Sequence, residues 1–395
     1  MPEHSKPLDG IKVVEFTHMV MGPAVGVILA DLGADVVKVE PLQGDNTRRL
    51  KGSGAGYFAM YNRNKSSVCL DLKSDQGLAT ARELVLRSDI MIENFRPGAM
   101  DKLGLGYPQL SEVNPALIYC SLKGFLSGPY EHRTALDEVT QMMGGLAYMT
   151  GPPDRPLRAG SSVIDITGGM FGVIGILAAL QERHNTGRGK QVTSSLFETT
   201  AFMVGQHIAQ QGVSGEEPPP MSVRRSAWSV YDIFTCGDGD KVFVGVVSDS
   251  LWQRFCEEFE LRDFADDPGM ASNSKRVNQR DVILPRVEAL FAGMDKQELM
   301  ARLDRAGVPF APINKPIDLV SDTHMLQGGG LVDINLESGK QIKLPGLPIE
   351  FDGEKPGLRR NLPAPGEGGR ERLLAMGFSA GDLDRLIAQG VMIAY

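Results

Sequence analysis

One acidic residue at the start of a long uncharged stretch constrains this chain more than any other feature. Asp165 is followed by residues 166–180, which are mostly apolar and carry no charge. Apolar residues fall on every face of the helix that this stretch predicts, so we expect the helix to be buried. Its glycines each cost a helix about 1 kcal/mol relative to alanine. The bare backbone therefore serves either close packing of another element or close approach of a substrate to main-chain N–H groups.

The sequence around Asp165 leaves a plainer interpretation open. The acid could cap a core helix, with its carboxylate accepting hydrogen bonds from the first N–H groups. A membrane span is disfavoured, because the uncharged run ends at Gln181, short of the about 20 residues that a bilayer requires. The rest of the chain has to decide between a capping and a chemical role for Asp165.

Composition narrows the class of protein. A chain of 395 residues, 42% of them hydrophobic, predicts two globular domains. A formal net charge of −8 argues against nucleic acid or an anionic membrane as the main partner. The first residues contain no apolar segment of the signal-peptide type, so a cytoplasmic location is expected. The cysteines and histidines lack the spacings of metal ligands, which predicts no metal site.

Strands and helices alternate through the first part of the chain. Strands are predicted at 11–16, 35–39, 67–72, 89–93 and 116–122, and helices at 22–32 and 75–87. This alternation predicts an α/β fold with a Rossmann-like, doubly wound and mostly parallel sheet, whose ligands bind beyond the carboxyl ends of the strands. The first strand-to-helix turn lacks the glycine pattern of dinucleotide-binding proteins, which disfavours NAD. Residues 192–211 are predicted to be largely helical.

A run of three prolines at 218–220 divides the chain. It forms a stiff connector, after which the predicted elements are typical of a smaller α+β domain. We place the large domain at 1–212, a linker at 213–226, the small domain at 227–320, a second linker at 321–345 and a C-terminal part at 346–395. The last two predicted helices are too short to form a domain, so the C-terminal part is expected to return to the large domain.

Several short stretches spread over nearly the whole chain form a specific combination. They are residues 7–13 (PLDGIKV), 32–40 (LGADVVKVE), 62–65 (NRNK), 93–98 (ENFRPG) and 186–189 (TGRG), with Gly22-Pro23, Gly124, Gly128-Pro129 and Asp165. Together they resemble the family III CoA-transferases, the CaiB/BaiF type that includes formyl-CoA:oxalate CoA-transferase. The resemblance implies that the chain is an enzyme that transfers coenzyme A between carboxylic acids.

The resemblance also implies an architecture. A large Rossmann-like domain is made from both ends of the chain, and two linkers lead to and from a small domain. These linkers let two subunits pass through one another as linked rings, so the expected state is an interlocked homodimer. The implied partners are an acyl-CoA and a small carboxylic acid, with coenzyme A as a substrate and no tightly bound cofactor. Neither nucleic acid nor a membrane is expected.

Individual residues receive roles from the same resemblance. Asp165 corresponds to the catalytic nucleophile. Coenzyme A is expected to lie against His18, Met19, Val20, Met21, Leu70, Lys73, Asn94, Phe95, Arg96, Lys102, Leu136 and Asp137. Lys102 stands where an arginine is common, so a contact with a CoA phosphate is retained but a bidentate contact is lost.

An aspartate suits the chemistry of thioester transfer. With an unperturbed pKa of about 3.9 it is ionised at neutral pH, and it attacks a thioester without a general base. The mixed anhydride and the aspartyl-CoA thioester that follow conserve the reactivity of the original bond. Gly168 and Gly169 are candidates for the N–H donors that each tetrahedral intermediate requires.

Two further hypotheses concern the substrate and the reaction class. Arg224 and Arg225 stand where formyl-CoA transferases have a tetraglycine loop, and they either bind a second carboxylate, as in succinate, malate or oxalate, or form ion pairs at a domain edge. The same fold hosts 2-methylacyl-CoA racemases, which pair the aspartate with a histidine. Leu136 occupies the position of that histidine and cannot move a proton, so we favour a transferase over a racemase.

Overall fold

The computed structural model describes residues 6–224 and 226–395, which form two compact units. The large unit contains the chain up to Val223 and again from Thr323 onward, and the small unit spans Arg224–Asp322. The linkers at 213–226 and 321–345 stay a prediction. Arg225, one of the two arginines expected to bind a second carboxylate, lies outside the described residues.

The secondary structure follows the predicted alternation. The strands are β1 (Lys12–Phe16), β2 (Asp35–Glu40), β3 (Lys65–Leu70), β4 (Ile90–Glu93), β5 (Ile118–Lys123), β6 (Gln191–Ser195), β7 (Tyr231–Thr235), β8 (Lys241–Gly245), β9 (Phe310–Pro312), β10 (Leu331–Asn335), β11 (Gln341–Pro345) and β12 (Met392–Ile393). The helices are α1 (Met21–Asp31), α2 (Tyr57–Tyr61), α3 (Asp75–Leu86), α4 (Ala99–Lys102), α5 (Tyr107–Val113), α6 (Asp137–Met143), α7 (Leu146–Thr150), α8 (Val163–Thr186), α9 (Leu196–Ser214), α10 (Asp249–Glu258), α11 (Arg262–Ala265), α12 (Asn273–Val277), α13 (Arg280–Phe291), α14 (Lys296–Ala306), α15 (Thr323–Gln327), α16 (Gly369–Ala375) and α17 (Ala380–Ala388).

The large unit is built on a sheet whose seven described strands have the order β12-β3-β2-β1-β4-β5-β6. All neighbours in it are parallel except β12, which is antiparallel to β3. A mixed α/β fold with a large parallel sheet was predicted, and this part of the prediction is confirmed. The order of strands reverses between β1 and β4, and in sheets of this kind the ligand crevice lies at that reversal.

The structure limits one prediction for the segment around α8 and contradicts another. Residues 196–211 are helical in α9, as predicted, but residues 192–195 belong to the edge strand β6, which pairs with β5. The β-branched residues Val192 and Thr193 suit such a strand better than a helix. In addition, α8 is not buried on every face, since Met170 and Ile174 are 49% and 59% exposed. The apolar residues on every face of α8 therefore do not show that the helix is buried within a single chain.

The glycines of α8 allow close packing. A Cβ atom at Gly168 would lie 2.7 Å from Cε of Met21, and one at Gly169 would lie 3.0 Å from the carbonyl oxygen of Met21. A Cβ atom at Gly175 would lie 2.5 Å from a methyl group of Val192. The bare backbone thus lets α8 lie directly against α1 and the sheet. By length and composition alone α8 could cross a membrane, but its glycine face packs within the large unit.

Charged side chains are buried inside the sheet next to α1. Nζ of Lys65 donates hydrogen bonds to both carboxylate oxygens of Glu15, at 2.8 and 3.0 Å, and to the carbonyl oxygen of Pro23 at 3.0 Å. Nζ of Lys38 lies 3.7 Å from Glu15 and donates to the carbonyl oxygen of Thr17 at 2.7 Å. Removing one member of such a buried network leaves an uncompensated charge. The network therefore fixes both the start of α1 and the turn that follows β1.

The C-terminal segment completes the large unit. β12 pairs with β3 through Met392 and Ile393. Leu373 of α16 and Leu383 of α17 join the buried apolar cluster that includes the strands β1 to β3. The end of the chain thus covers the β3 edge of the sheet, away from the reversal between β1 and β4.

The small unit has its own core. Strands β7, β8 and β9 form an antiparallel sheet. Helices α10, α13 and α14 contribute Trp252, Phe291 and Leu303 to an apolar cluster with the inward side chains of that sheet. The α+β composition of this unit agrees with the elements that the sequence predicts.

We expect Gly26→Ala to destabilise the protein, because a Cβ atom there would lie 1.8 Å from a carboxylate oxygen of Glu15 and 2.8 Å from Nζ of Lys65. The expected loss is about 3 kcal/mol of unfolding free energy. Gly212→Ala is the matched control: it also lies in a helix, and nothing lies within 4 Å of its added Cβ atom. The control should be about 0.5–1 kcal/mol more stable than the wild type. Urea midpoints measure both; equal midpoints would contradict the packing argument.

Candidate active site

A cavity of about 670 Å³ opens where the order of strands in the large sheet reverses. Its walls include the turns that follow β1, β4 and β5 and the first turn of α8. Most residues of the predicted site line it: His18, Met19, Val20, Met21, Asn94, Phe95, Arg96, Leu136, Asp137 and Asp165. Residues that are far apart in the sequence thus meet at the place that the sheet topology favours for a ligand.

The turn after β1 is held in a strained conformation. Met19 has a φ of 64°, in the left-handed region that residues other than glycine seldom adopt. The amide side chain of Asn94 accepts a hydrogen bond from the N–H of His18 at 3.1 Å and donates one to its carbonyl oxygen at 2.9 Å. The N–H of Met19 donates to Oγ1 of Thr47 at 3.0 Å. Strain that neighbours maintain in this way is typical of functional sites.

The turn after β4 is anchored by a buried carboxylate. Glu93 accepts hydrogen bonds from Nζ of Lys123 at 2.7 and 2.9 Å, from the hydroxyl of Ser121 at 2.6 Å and from the N–H of Phe95 at 3.0 Å. Lys123 also donates to the carbonyl oxygen of Phe95 at 2.8 Å. The turn is therefore fixed, while the exposed side chain of Arg96 at its end makes no hydrogen bond to any residue that the structure describes.

Asp165 does not cap the helix on which it lies. It is in the first turn of α8, and the carboxylate that accepts from the start of this helix belongs to Asp137. Oδ2 of Asp137 accepts hydrogen bonds from the N–H groups of Ile164 and Asp165, at 2.9 and 3.1 Å. Within residues 6–224 and 226–395, no hydrogen bond reaches the carboxylate of Asp165. The capping interpretation is therefore wrong, and the acid is available for chemistry.

The environment of Asp165 changes its acidity. Burial raises the pKa of its carboxyl to about 7, with a further contribution from the negative charge of Asp137. The guanidinium of Arg158 acts in the opposite direction, but more weakly. Our expectation of an unperturbed, fully ionised aspartate is therefore wrong.

Five further predicted site residues belong to the large unit but are not among those that line this cavity. Leu70 is buried at the end of β3, and Lys73 follows it as an exposed residue at the same edge of the sheet. Lys102 is exposed at the end of α4. Gly168 and Gly169 are buried in α8 against Met21, where packing accounts for them. The roles of these residues toward coenzyme A or an oxyanion stay predictions.

Arg224 belongs to the small unit. Its guanidinium carbon lies 5.9 Å from the centre of the Tyr231 ring, within the range of a cation–π interaction. Its contact with a substrate carboxylate stays a prediction, as does that of Arg225, which the structure does not describe.

Sequence reasoning missed several residues of the cavity. Tyr57, Lys123, Arg158 and Ser162 line it together with the predicted residues. Arg158 begins the same sequence stretch as Asp165, and this proximity in sequence was the available signal. Tyr57 lies shortly before the NRNK motif at 62–65, but no pattern in the sequence showed which way its ring faces.

Comparison with known proteins identifies the family. The model of "CoA-transferase family III" matches residues 8–368. The chain belongs to this family. It is 32% identical to succinate–glutarate CoA-transferase of Agrobacterium fabrum over 92% of the chain and 94% of that protein. It is 33% identical to formyl-CoA:oxalate CoA-transferase of Streptomyces avermitilis over 88% of the chain and 90% of that protein.

A solved structure shares the fold. The crystal structure of a CaiB/BaiF family protein from Brucella suis superimposes with a TM-score of 0.83 at 33% identity, covering 94% of this chain and 100% of that one. The resemblance seen in the sequence motifs is confirmed. The protein described here is an enzyme of the CoA-transferase type. Coenzyme A and a carboxylic acid are accordingly the substrate classes to consider for the cavity.

The raised pKa of Asp165 makes stability depend on pH. The folded state binds this proton more firmly than the unfolded chain, whose aspartate has a pKa of about 3.9. The stabilising contribution is therefore complete below pH 3.9 and is lost as the pH rises through about 7. The difference in unfolding free energy between Asp165→Asn and the wild type should therefore rise with pH. Because the group is only partly buried, we expect this difference to be about 1–2 kcal/mol larger at pH 8 than at pH 5.

Urea unfolding at pH 5 and pH 8 measures this difference. Asp154→Asn is the control, because Asp154 is exposed and lies in the loop between α7 and α8. A gain that is equal for Asp165→Asn and Asp154→Asn would contradict the effect of burial on Asp165.

Proposed function

We propose that this chain transfers coenzyme A from a donor acyl-CoA to an acceptor carboxylic acid, with Asp165 as the covalent nucleophile. The observation that carries the proposal is the carboxylate of Asp165, which is partly buried in the cavity and accepts no hydrogen bond within the described residues. A carboxylate that serves only structure would be expected to be paired. Membership of the CoA-transferase family supplies the substrate class.

The proposed reaction has two symmetrical halves. The ionised carboxylate attacks the thioester carbonyl and expels CoA thiolate, which forms a mixed anhydride. The thiolate then attacks the aspartyl carbonyl, releasing the donor acid and leaving an aspartyl-CoA thioester. The acceptor carboxylate attacks this thioester, expels the thiolate and forms a second anhydride. Attack of the thiolate on the acyl carbon of the acceptor gives the new acyl-CoA and regenerates Asp165.

Exposed cations support the binding of the CoA phosphates. Arg96 lies at the rim of the cavity, and Lys73 and Lys102 are exposed elsewhere on the large unit. None of the three side chains makes a hydrogen bond or ion pair with another described residue, so each is available to a phosphate. Local cations of this kind attract an anionic ligand although the chain as a whole carries a net charge of −8.

The acceptor is proposed to be a small dicarboxylic acid. The two relatives compared above are named for glutarate and oxalate, and others are named for succinate and malate. The coenzyme is proposed to act as a substrate, with no cofactor held tightly between turnovers.

Racemisation receives less support from the site. A racemase of this fold pairs its aspartate with a histidine, and Leu136 occupies that position, 62% exposed at the cavity. His132, four residues earlier, has a side chain that is 84% exposed and lies 3.0 Å from Glu131. Loss of one acid/base group typically costs about 10²–10⁴-fold in rate. We therefore keep racemisation as the alternative that an experiment must exclude.

The enzyme is proposed to be an interlocked homodimer in the cytoplasm. Support for a second subunit comes from large apolar side chains that are exposed on α8 and α9: Met170, Ile174, Leu177, Phe202 and Ile208. Apolar side chains exposed on two helices that pack together are typical of a protein–protein contact. We propose that a second copy of the chain covers them.

One incubation in D₂O distinguishes the two reaction classes. Succinyl-CoA or a 2-methylacyl-CoA is supplied with a panel of free acids, and mass spectrometry follows new acyl-CoA species and deuterium at the α-carbon together. We expect new thioesters without α-deuterium, because transfer through anhydrides never breaks the α C–H bond. Asp165→Asn should reduce the formation of new thioesters by more than about 10³-fold, since no nucleophile remains.

Incorporation of α-deuterium without exchange of acyl partners would overturn the proposal in favour of an isomerase. Transfer by Asp165→Ala at more than a few per cent of the wild-type rate would show that another group is the nucleophile.

A further inference from the structure

A second cavity adjoins the one that contains Asp165. Its volume is about 410 Å³, and it shares Tyr57, Arg158 and Ser162 with the first cavity. Its lining residues are Ser53, Tyr57, Tyr61, Arg158, Ala159, Gly160, Ser161 and Ser162. The shared walls make the two cavities neighbours at the start of α8, so a small molecule in one lies close to a reaction in the other.

The chemistry of the second cavity favours an anion. Arg158 is the charged residue among those that line it, and no carboxylate is present in this lining. The other polar groups are hydroxyls of two tyrosines and three serines. Burial and the charge of Asp165 raise the pKa of Tyr61 to about 12, so its hydroxyl remains a hydrogen-bond donor. A positive charge surrounded by hydroxyl donors suits a carboxylate.

Arg158 is fixed in place by one side of its guanidinium. Nε donates to the carbonyl oxygen of Ala159 at 3.2 Å, and Nη2 donates to that of Ser161 at 3.1 Å. Nη2 also lies 3.2 Å from Oδ1 of Asp137, the residue that caps α8. These contacts set the plane of the guanidinium relative to the first turn of the helix that carries Asp165.

The other side of the guanidinium is held more loosely. Nη1 makes no hydrogen bond with the residues that the structure describes, but it forms a long ion pair with the carboxylate of Glu138 at 3.8 Å. The side chain of Arg158 is one-third exposed, whereas that of Glu138 is 59% exposed. An arginine that is anchored by Nε and Nη2 has lost much of its conformational freedom before a ligand binds, which lowers the entropic cost of recognition. Its ion pair with the exposed Glu138 contributes little stability, so a ligand carboxylate can replace it.

We propose that the second cavity binds the distal carboxylate of a dicarboxylic substrate, with the guanidinium of Arg158 as the charged group. This inference rests on the proposed function and makes it more specific. One carboxylate of the acid, free or as a thioester, reacts with Asp165 in the first cavity, while the other is held in the second. This proposal gives Arg158 the same kind of contact that the sequence predicts for Arg224 and Arg225, and that prediction stays untested.

Direct binding tests the site without turnover. Titration calorimetry compares succinate with butyrate, which has the same number of carbons and lacks the second carboxylate. Wild type and three variants are used: Arg158→Gln, Arg158→Lys and, as a control, Arg155→Gln on the same loop, exposed and outside both cavities. We expect Arg158→Gln to weaken succinate binding about 10- to 100-fold and Arg155→Gln to leave it unchanged.

Kinetics separate recognition from positioning. Because Arg158 also contacts Asp137, its replacement would lower kcat for every acceptor alike if its role were only to support α8. Recognition predicts instead that KM for succinate rises about 10- to 100-fold in Arg158→Gln while KM for butyrate changes less than about 3-fold. Arg158→Lys should recover part of the affinity, since it keeps the charge but loses the planar fork.

Several results would overturn this inference. They are wild-type binding of succinate no tighter than that of butyrate, unchanged succinate binding in Arg158→Gln, and an equal loss for both acids. Weakened binding of free coenzyme A with unchanged succinate binding would assign Arg158 to a CoA phosphate instead. Failure of the proposed CoA transfer gives a different result from failure of this inference. The wild type would then produce no new thioester from any acid. The titration would still show whether succinate binding depends on Arg158.

Discussion

The carboxylates of Asp137 and Asp165 both lie at the start of α8, and the candidate site depends on their different roles. Asp137 accepts hydrogen bonds from the N–H groups of Ile164 and Asp165, so a residue from another helix satisfies two of the N–H groups at the start of α8. The carboxylate of Asp165 itself accepts no hydrogen bond from the described residues. The charge of Asp137 adds to burial in raising the pKa of Asp165, and Arg158, paired with Asp137, opposes this effect.

The sheet and its buried charges hold this arrangement in place. The reversal of strand order brings the turns after β1 and β4 to one cavity. Lys38 fixes the carbonyl of Thr17, and Asn94 fixes the backbone of His18, so the strained Met19 cannot relax into an ordinary turn. Buried networks contribute little net stability, but they are costly to break. Their role here is to specify one geometry around the reacting groups.

Sequence reasoning reached the fold class, the family and ten of the residues that line the cavity, because alternating elements and short motifs are local signals. It failed where tertiary environment decides. Met170 and Ile174 are apolar yet exposed in the single chain, and no local pattern shows what covers them. The pKa of Asp165 depends on Asp137, a residue 28 positions away, and the orientation of the Arg158 guanidinium depends on three contacts that only the folded chain creates.

The central claim is that Asp165 exchanges oxygen with the acids it activates. In a single turnover with an acceptor acid whose carboxylates carry ¹⁸O, the acceptor bonds to the aspartyl carbon through one of its oxygens, and that oxygen stays on the enzyme when thiolate attacks the acyl carbon. Mass spectrometry of the peptide that contains Asp165 should show one ¹⁸O. An unlabelled Asp165 after complete conversion, with all ¹⁸O in the new acyl-CoA and the free acid, would contradict the account.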